Sequence, residues 1–300
     1  MMRETGPAVS TEARICESDV PLAAVLAAER ACLAVIIGVE GPSYRPVGAA
    51  MAIDGDGRRT GSLSSGCIDN DVAIHAGEAL RDGKPRRLRY GRGSPFLDLQ
   101  LPCGGGLEIM LLPDPARAPL ERAHARLQAR NPAQLAVGPG GLAGVLNLVL
   151  LPRLRLIVFG KGPEPRALTE LARAAAQSVE LHSPDDETHG GLPGAHPLTH
   201  AEWPPGLALD ARSAVMLFFH DHDWEPPFLT HALASSAFFV GAQGSARAHE
   251  RRVAALRSLG VPDDRIARLV HPFGLVRHAR DPRSLAVGVL AQVLDRARVG

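Results

Sequence analysis

Residues 153–177 read RLRLIVFGKGPEPRALTELARAAAQ. An apolar run of strand length ends at Gly160-Lys161-Gly162, and from Pro163 onward apolar residues recur at helical spacing. A strand, a glycine turn and an amphipathic helix in that order open a βαβ unit. Downstream, AVMLFFH (214–220), AFFVGAQGS (237–245) and RIARLVHPF (265–273) are further apolar runs, each passing into a helix or turn. The last segment, 281–298, starts with Asp281 as N-cap and Pro282 at the first helical position, then keeps helical spacing. This half of the chain predicts a small, doubly wound parallel sheet.

Upstream of residue 152 the pattern changes. VPLAAVLAAERA (20–31) predicts a short helix and CLAVIIGVEG (32–41) a buried strand, and the alternation around Asp54-Gly55-Asp56-Gly57 predicts a hairpin. IDNDVAIHAGEALRDG (68–83) has helical period with acids in its first turn, where they complement the helix dipole. A strand at LEIMLLPD (107–114), a helix through LERAHARLQAR (120–130) and two strands about a glycine turn in 131–152 complete a mixed α+β domain. The expected division is 1–152 and 153–300.

Composition restricts the function classes. The chain has 300 residues, 45% hydrophobic, with a formal net charge of +1, which favours no nucleic-acid partner. No uninterrupted apolar stretch reaches the ~18 residues of a membrane span, and residues 1–14 resemble no signal peptide, so a cytoplasmic location is expected. The four cysteines, Cys16, Cys32, Cys67 and Cys103, are widely spaced and form no CxxC pair, which predicts free thiols.

Two of those thiols sit among small residues. Cys67 ends GSLSSGC just ahead of the predicted helix, a position that activates a thiol. Cys103 stands directly before Gly104, Gly105 and Gly106. Such neighbours leave room for a bulky group to approach sulfur, which a packed structural cysteine does not need.

In the second half, Gly160 and Gly162 supply the first two glycines of a dinucleotide fingerprint, but Pro165 stands at the third. The acid expected near the end of the next strand is also displaced, to Asp185 and Asp186. Gly241, Gly244 and Ser245, with Arg247 close behind, form another strand-to-helix turn suited to an anion. His220 falls at a strand's carboxyl end, where open α/β sheets bind ligands, and Asp221, His222 and Asp223 follow it as further metal-ligand candidates or helix caps.

Together these stretches resemble the XdhC/CoxI family of xanthine dehydrogenase accessory proteins. The likeness is carried, in the family's order, by GSLSSGCIDNDV (61–72), YGRGSPFLDLQLPCGGGLEI (90–109), VFGKGPEPRAL (158–168), residues 218–252 and residues 271–294. It implies an XdhC/CoxI domain followed by a Rossmann-like domain. The implied role is that of a chaperone, not an enzyme: it binds the molybdenum cofactor, a molybdopterin sometimes extended by a nucleotide. It would also assist exchange of an oxo for a sulfido ligand with a cysteine desulfurase, and deliver the cofactor to a molybdenum hydroxylase apoenzyme of the xanthine dehydrogenase, aldehyde oxidase or CO dehydrogenase type. A homodimer is expected at the family level.

On that basis Cys67, Cys103, Gly104, Gly105, Gly160, Gly162, Gly244, Ser245 and Arg247 are the candidate cofactor-binding residues, with the cofactor expected between the domains. Cys103 and His220 are the candidates for the molybdenum side. Two departures stand out: GSAR where GSRR is usual, and Arg277-His278 within GLVRHA where GLDIGA is usual. The alternatives are an NAD(P)-dependent oxidoreductase using Gly160 and Gly162, and a metal- or thiol-dependent hydrolase using His220, Asp221 and Cys103.

Overall fold

A computed structural model describes residues 11–64, 66–91, 104–138, 141–219 and 223–297, with the backbone only at 11 and 141–145. The chain forms two compact units that part between Pro152 and Arg153. Among the described residues no helix is long and apolar enough to cross a membrane.

The first unit runs β1 (Thr11–Cys16), α1 (Leu22–Ala27), β2 (Ala31–Glu40), β3 (Ala50–Asp54), β4 (Arg59–Gly61), α2 (Asp69–Asp82), β5 (Arg86–Gly91), β6 (Gly106–Pro113), α3 (Arg117–Gln128), β7 (Ala133–Gly138) and β8 (Gly141–Leu151). Its main sheet is antiparallel, ordered β4-β3-β2-β6-β5, and a smaller sheet has the order β1-β8-β7. β2 holds the centre of the main sheet, and Cys32 through Ile36 are fully buried. The β3–β4 hairpin turns on Asp54, whose Oδ1 accepts from the Asp56 and Arg58 amides at 2.9 Å each. α2 packs on β2, β3 and β6, burying Val72, Ala76 and Leu80, the face set by its 3.6-residue period.

The second unit runs β9 (Arg155–Gly160), α4 (Pro163–Ala174), β10 (Ser178–Ser183), α5 (Asp186–His189), β11 (Ala195–Pro197), β12 (Ser213–Phe218), α6 (Glu225–Ala234), β13 (Phe239–Ala242), α7 (Ala246–Ser258), α8 (Asp263–Ile266), β14 (Leu269–Val270) and α9 (Pro282–Arg296). Its strands are parallel in the order β11-β10-β9-β12-β13-β14. The order reverses beside β9, so the loops after β9 and β12 open a crevice at the carboxyl ends of the strands. α4 and α9 cover one face of the sheet. On the other, Ile157, Phe159, Val215 and Leu217 pack with Phe228 and Leu229 of α6 and Leu256 of α7.

Candidate functional site

In the first unit the candidate feature is the loop from β4 to α2. Asp69 opens α2 and is 8% exposed. Its carboxylate accepts from Ser62 Oγ at 2.6 Å, Ser64 Oγ at 2.9 Å and the Leu63 amide at 3.3 Å. Ser64 Oγ in turn accepts from the Gly66 and Ile68 amides at 3.0 and 3.3 Å. Ser62, Ser64 and Asp69 are thus consumed in folding the loop on itself. Cys67, which they enclose, is exposed and free. Two residues after Asp69, Asp71 accepts from the Tyr90 hydroxyl at 2.6 Å, which ties α2 to β5.

Cys103 lies outside the described residues. Gly104 is exposed. Gly105 is buried, and a Cβ there would stand 2.3 Å from the Pro42 carbonyl oxygen. The close run of the start of β6 against the segment after β2 requires a glycine here.

In the second unit the glycine turn after β9 is closed from within. Gly160 abuts β12, where a Cβ would fall 2.5 Å from the Phe218 carbonyl oxygen. The Lys161 amide donates to that same oxygen at 3.2 Å. The Gly162 amide, expected to face a phosphate, donates instead to Thr188 Oγ1 at 2.7 Å. Thr188 Oγ1 donates onward to Asp185, whose carboxylate also accepts from the Thr188 amide at 2.8 Å. These bonds hold the Asp185 carboxyl below its ordinary range. Asp185 therefore caps α5 and is committed there, and Pro163 and Pro165 remove two more amides from the first turn of α4.

The turn after β13 is different. Ser245 is the N-cap of α7, its hydroxyl accepting from the Ala248 amide at 3.3 Å. Gly244 and Arg247 are exposed, and the Arg247 guanidinium makes no hydrogen bond or ion pair among the described residues. Behind the turn, Arg252 donates to both oxygens of Glu225 at 2.8 and 2.7 Å and to the Gln243 carbonyl at 2.8 Å. Both side chains are 2% exposed. This buried pair ties the start of α6 to the middle of α7 and, through Gln243, to the turn before α7. His220, Asp221 and His222 lie outside the described residues. Among the described residues no group of three His, Cys, Asp or Glu is arranged to hold a metal ion.

The XdhC Rossmann domain profile matches residues 156–293, and the XdhC and CoxI family profile matches 24–91. The molybdenum cofactor insertion chaperone PaoD of Escherichia coli (strain K12) is 31% identical over 284 residues, which is 90% of this chain and 84% of PaoD. The chain belongs to the XdhC and CoxI family. A second Escherichia coli (strain K12) protein, the uncharacterized protein YqeB, is 26% identical across 82% of this chain and 40% of its own length. A Bacillus halodurans crystal structure described as a xanthine dehydrogenase superposes with a TM-score of 0.75 at 22% identity, covering 94% of this chain and 96% of that one, a likeness of fold.

The XdhC and CoxI reading accounts for the motif order, but sequence reasoning missed three local devices, the Asp69 network in the first unit and the Thr188 plug and the Glu225–Arg252 pair in the second. Asp69 had a signal, since an acid five and seven residues after two serines at a helix start suits a capped loop. The other two pairings join residues 26 and 27 positions apart, and nothing local announces them.

Proposed function

We propose that the protein is a maturation factor that binds the molybdenum cofactor as cargo and passes it to a molybdenum hydroxylase apoenzyme. The observation that carries the reading is the Cys67 thiol, exposed on a loop folded around a buried carboxylate in a chain 31% identical to a molybdenum cofactor insertion chaperone. A thiolate is a soft ligand suited to molybdenum. Cys67 contacts the metal side of the cargo, together with Cys103 and His220. Gly244, Ser245 and Arg247 take the pterin phosphate, because their turn keeps an uncommitted guanidinium beside a helix N-terminus. The Gly160–Gly162 turn is assigned no phosphate, since Thr188 already holds its amide. The same bond disfavours an NAD(P)-dependent oxidoreductase. Exchange of the oxo ligand with a cysteine desulfurase, and a nucleotide-extended cargo, are finer parts of this proposal.

The test is anaerobic purification from cells that make the cofactor, followed by assay of molybdenum and released pterin. The protein is expected to carry both in equal amounts, and Cys67→Ala to carry less of both with an unchanged melting temperature. Arg247→Ala is expected to weaken retention by about 1–3 kcal/mol, the value of a charge-assisted hydrogen bond. Absence of both molybdenum and pterin from the wild-type protein overturns the reading.

A further inference from the structure

β10 departs from the pattern of its sheet. A parallel strand covered on both faces reads as a nearly continuous apolar run, as β12 does with all six residues buried. β10 reads Ser-Val-Glu-Leu-His-Ser. Val179 and Leu181 join the apolar layer under α4 and α9. Glu180 and His182 alternate to the opposite face. There the connection from β11 to β12, residues 198–212, is irregular, where parallel strands are usually joined through a helix. Between this segment and the polar face of β10 lies a cavity of about 420 Å³.

The walls of the cavity are flat and its polar groups are only partly satisfied. Arg155 donates to one oxygen of Glu180 at 2.8 Å. His182 Nε2 stands 3.8 Å from the other, and the imidazole, 5% exposed, makes no hydrogen bond through that nitrogen. Its ring stacks at 4.9 Å on that of His196, its partner on β11. Trp203 adds an indole wall, fixed by an N–H bond to the Leu207 carbonyl at 2.8 Å and by stacking on His231 at 4.1 Å. Glu202 lines the cavity, exposed and without an ion pair or hydrogen bond among the described residues. Burying a polar strand face is unfavourable unless its groups find partners. On this face His182 Nε2 is left without one, while the exposed Glu202 carboxylate is open to a ligand.

We propose that this cavity binds a planar bicyclic heterocycle through a 2-amino-4-oxopyrimidine edge, the edge shared by pterins and guanine, with the ring stacked on His196 and its adjacent N–H groups donated to Glu202. An ionised carboxylate only accepts, so it matches an edge offering two neighbouring donors. Adenine and cytosine place an acceptor beside the donor and fit it poorly. A pterin source for this edge rests on the cofactor-chaperone reading, whereas a guanine nucleotide would supply the same edge without it.

Isothermal titration of the cofactor-free, full-length protein with 6-hydroxymethylpterin, guanosine, adenosine and cytidine tests the proposal, with tryptophan fluorescence followed in parallel. Pterin or guanosine is expected to bind and change the emission, and adenosine and cytidine to bind at least about tenfold more weakly. Glu202→Gln is expected to lower the affinity by about tenfold or more without moving the melting temperature, and His196→Ala to lower it as well. Preference for pterin over guanosine assigns the site to the cargo's ring system, and the reverse assigns it to a guanine nucleotide. Silence from both at millimolar concentration, equal binding of all four, or indifference to Glu202→Gln overturns the site. A protein that carries molybdenum cofactor from cells yet binds neither probe loses this site and keeps the chaperone function. One that binds pterin here but never carries molybdenum keeps the site and loses that function.

Discussion

Cys32 and Cys67 differ in what surrounds the sulfur. Cys32 is fully enclosed at the start of β2, and burial pushes its thiol up to about 12 against the opposing pull of a backbone hydrogen bond with Leu112. Cys67 is exposed on the Asp69-organised loop. At pH 8 iodoacetamide is therefore expected to modify Cys67 in the folded protein and to spare Cys32 until denaturant is added, which peptide mass spectrometry reads directly. Labelling of Cys32 in the native state would refute its burial. Glu180 offers a second residue-scale prediction. His182 and Arg155 hold its carboxyl down at about 2 from an ordinary 4.5. A depressed carboxyl stabilises the fold above the unfolded value and loses that contribution as pH falls toward the folded one. Between pH 4.5 and 2 the wild-type protein is expected to lose stability more steeply than Glu180→Gln, measured by chemical denaturation at each pH. Cys67 was legible as a free thiol from the wide spacing of the cysteines, but the Thr188–Gly162 bond was not, because a hydroxyl on α5 reaches the turn only through the tertiary fold.

At the scale of elements, one buried ion pair joins the start of α6 to the middle of α7. Removing one partner of such a pair leaves an uncompensated charge in the interior and is expected to destabilise by about 3–5 kcal/mol. Arg252→Met should therefore show a large loss in urea denaturation, and Arg252→Met combined with Glu225→Leu should recover much of it, since the apolar pair carries no desolvation penalty. If the double variant is no better than the single one, the pair is not what fixes these helices. Because Arg252 also donates to the Gln243 carbonyl, the single variant is further expected to loosen the turn that presents Arg247. Elements with strong local patterns were legible: β2 from its continuous apolar run, the β3–β4 hairpin from Asp-Gly-Asp-Gly, α9 from its Asp-Pro start. β1 was not, since Thr-Glu-Ala-Arg-Ile-Cys alternates weakly, and its strand character comes from parallel pairing with β8 more than 130 residues away.

At the scale of the whole molecule, the apolar residues segregate into separate clusters. One cluster holds the first unit's core, from Ile15 to Leu150. Two others, between Leu154 and Ala297, lie on the opposite faces of the parallel sheet. This separation was legible in outline, because the change at residue 153 from hairpin and antiparallel patterns to strand-turn-helix units is a change in how the chain closes its sheets. The contents of the β11–β12 connection were not, for an irregular segment interrupted by Pro204, Pro205 and Gly206 has no period from which a cavity can be read. A unit that encloses its own core and pairs its own strands holds what it needs to fold alone. A fragment of residues 153–300 is therefore expected to give a sigmoidal thermal unfolding curve by circular dichroism and to retain slow-exchanging amides in β9 and β12, the central strands of its sheet. A fragment without a cooperative transition would mean that the parallel sheet draws stability from residues before 153.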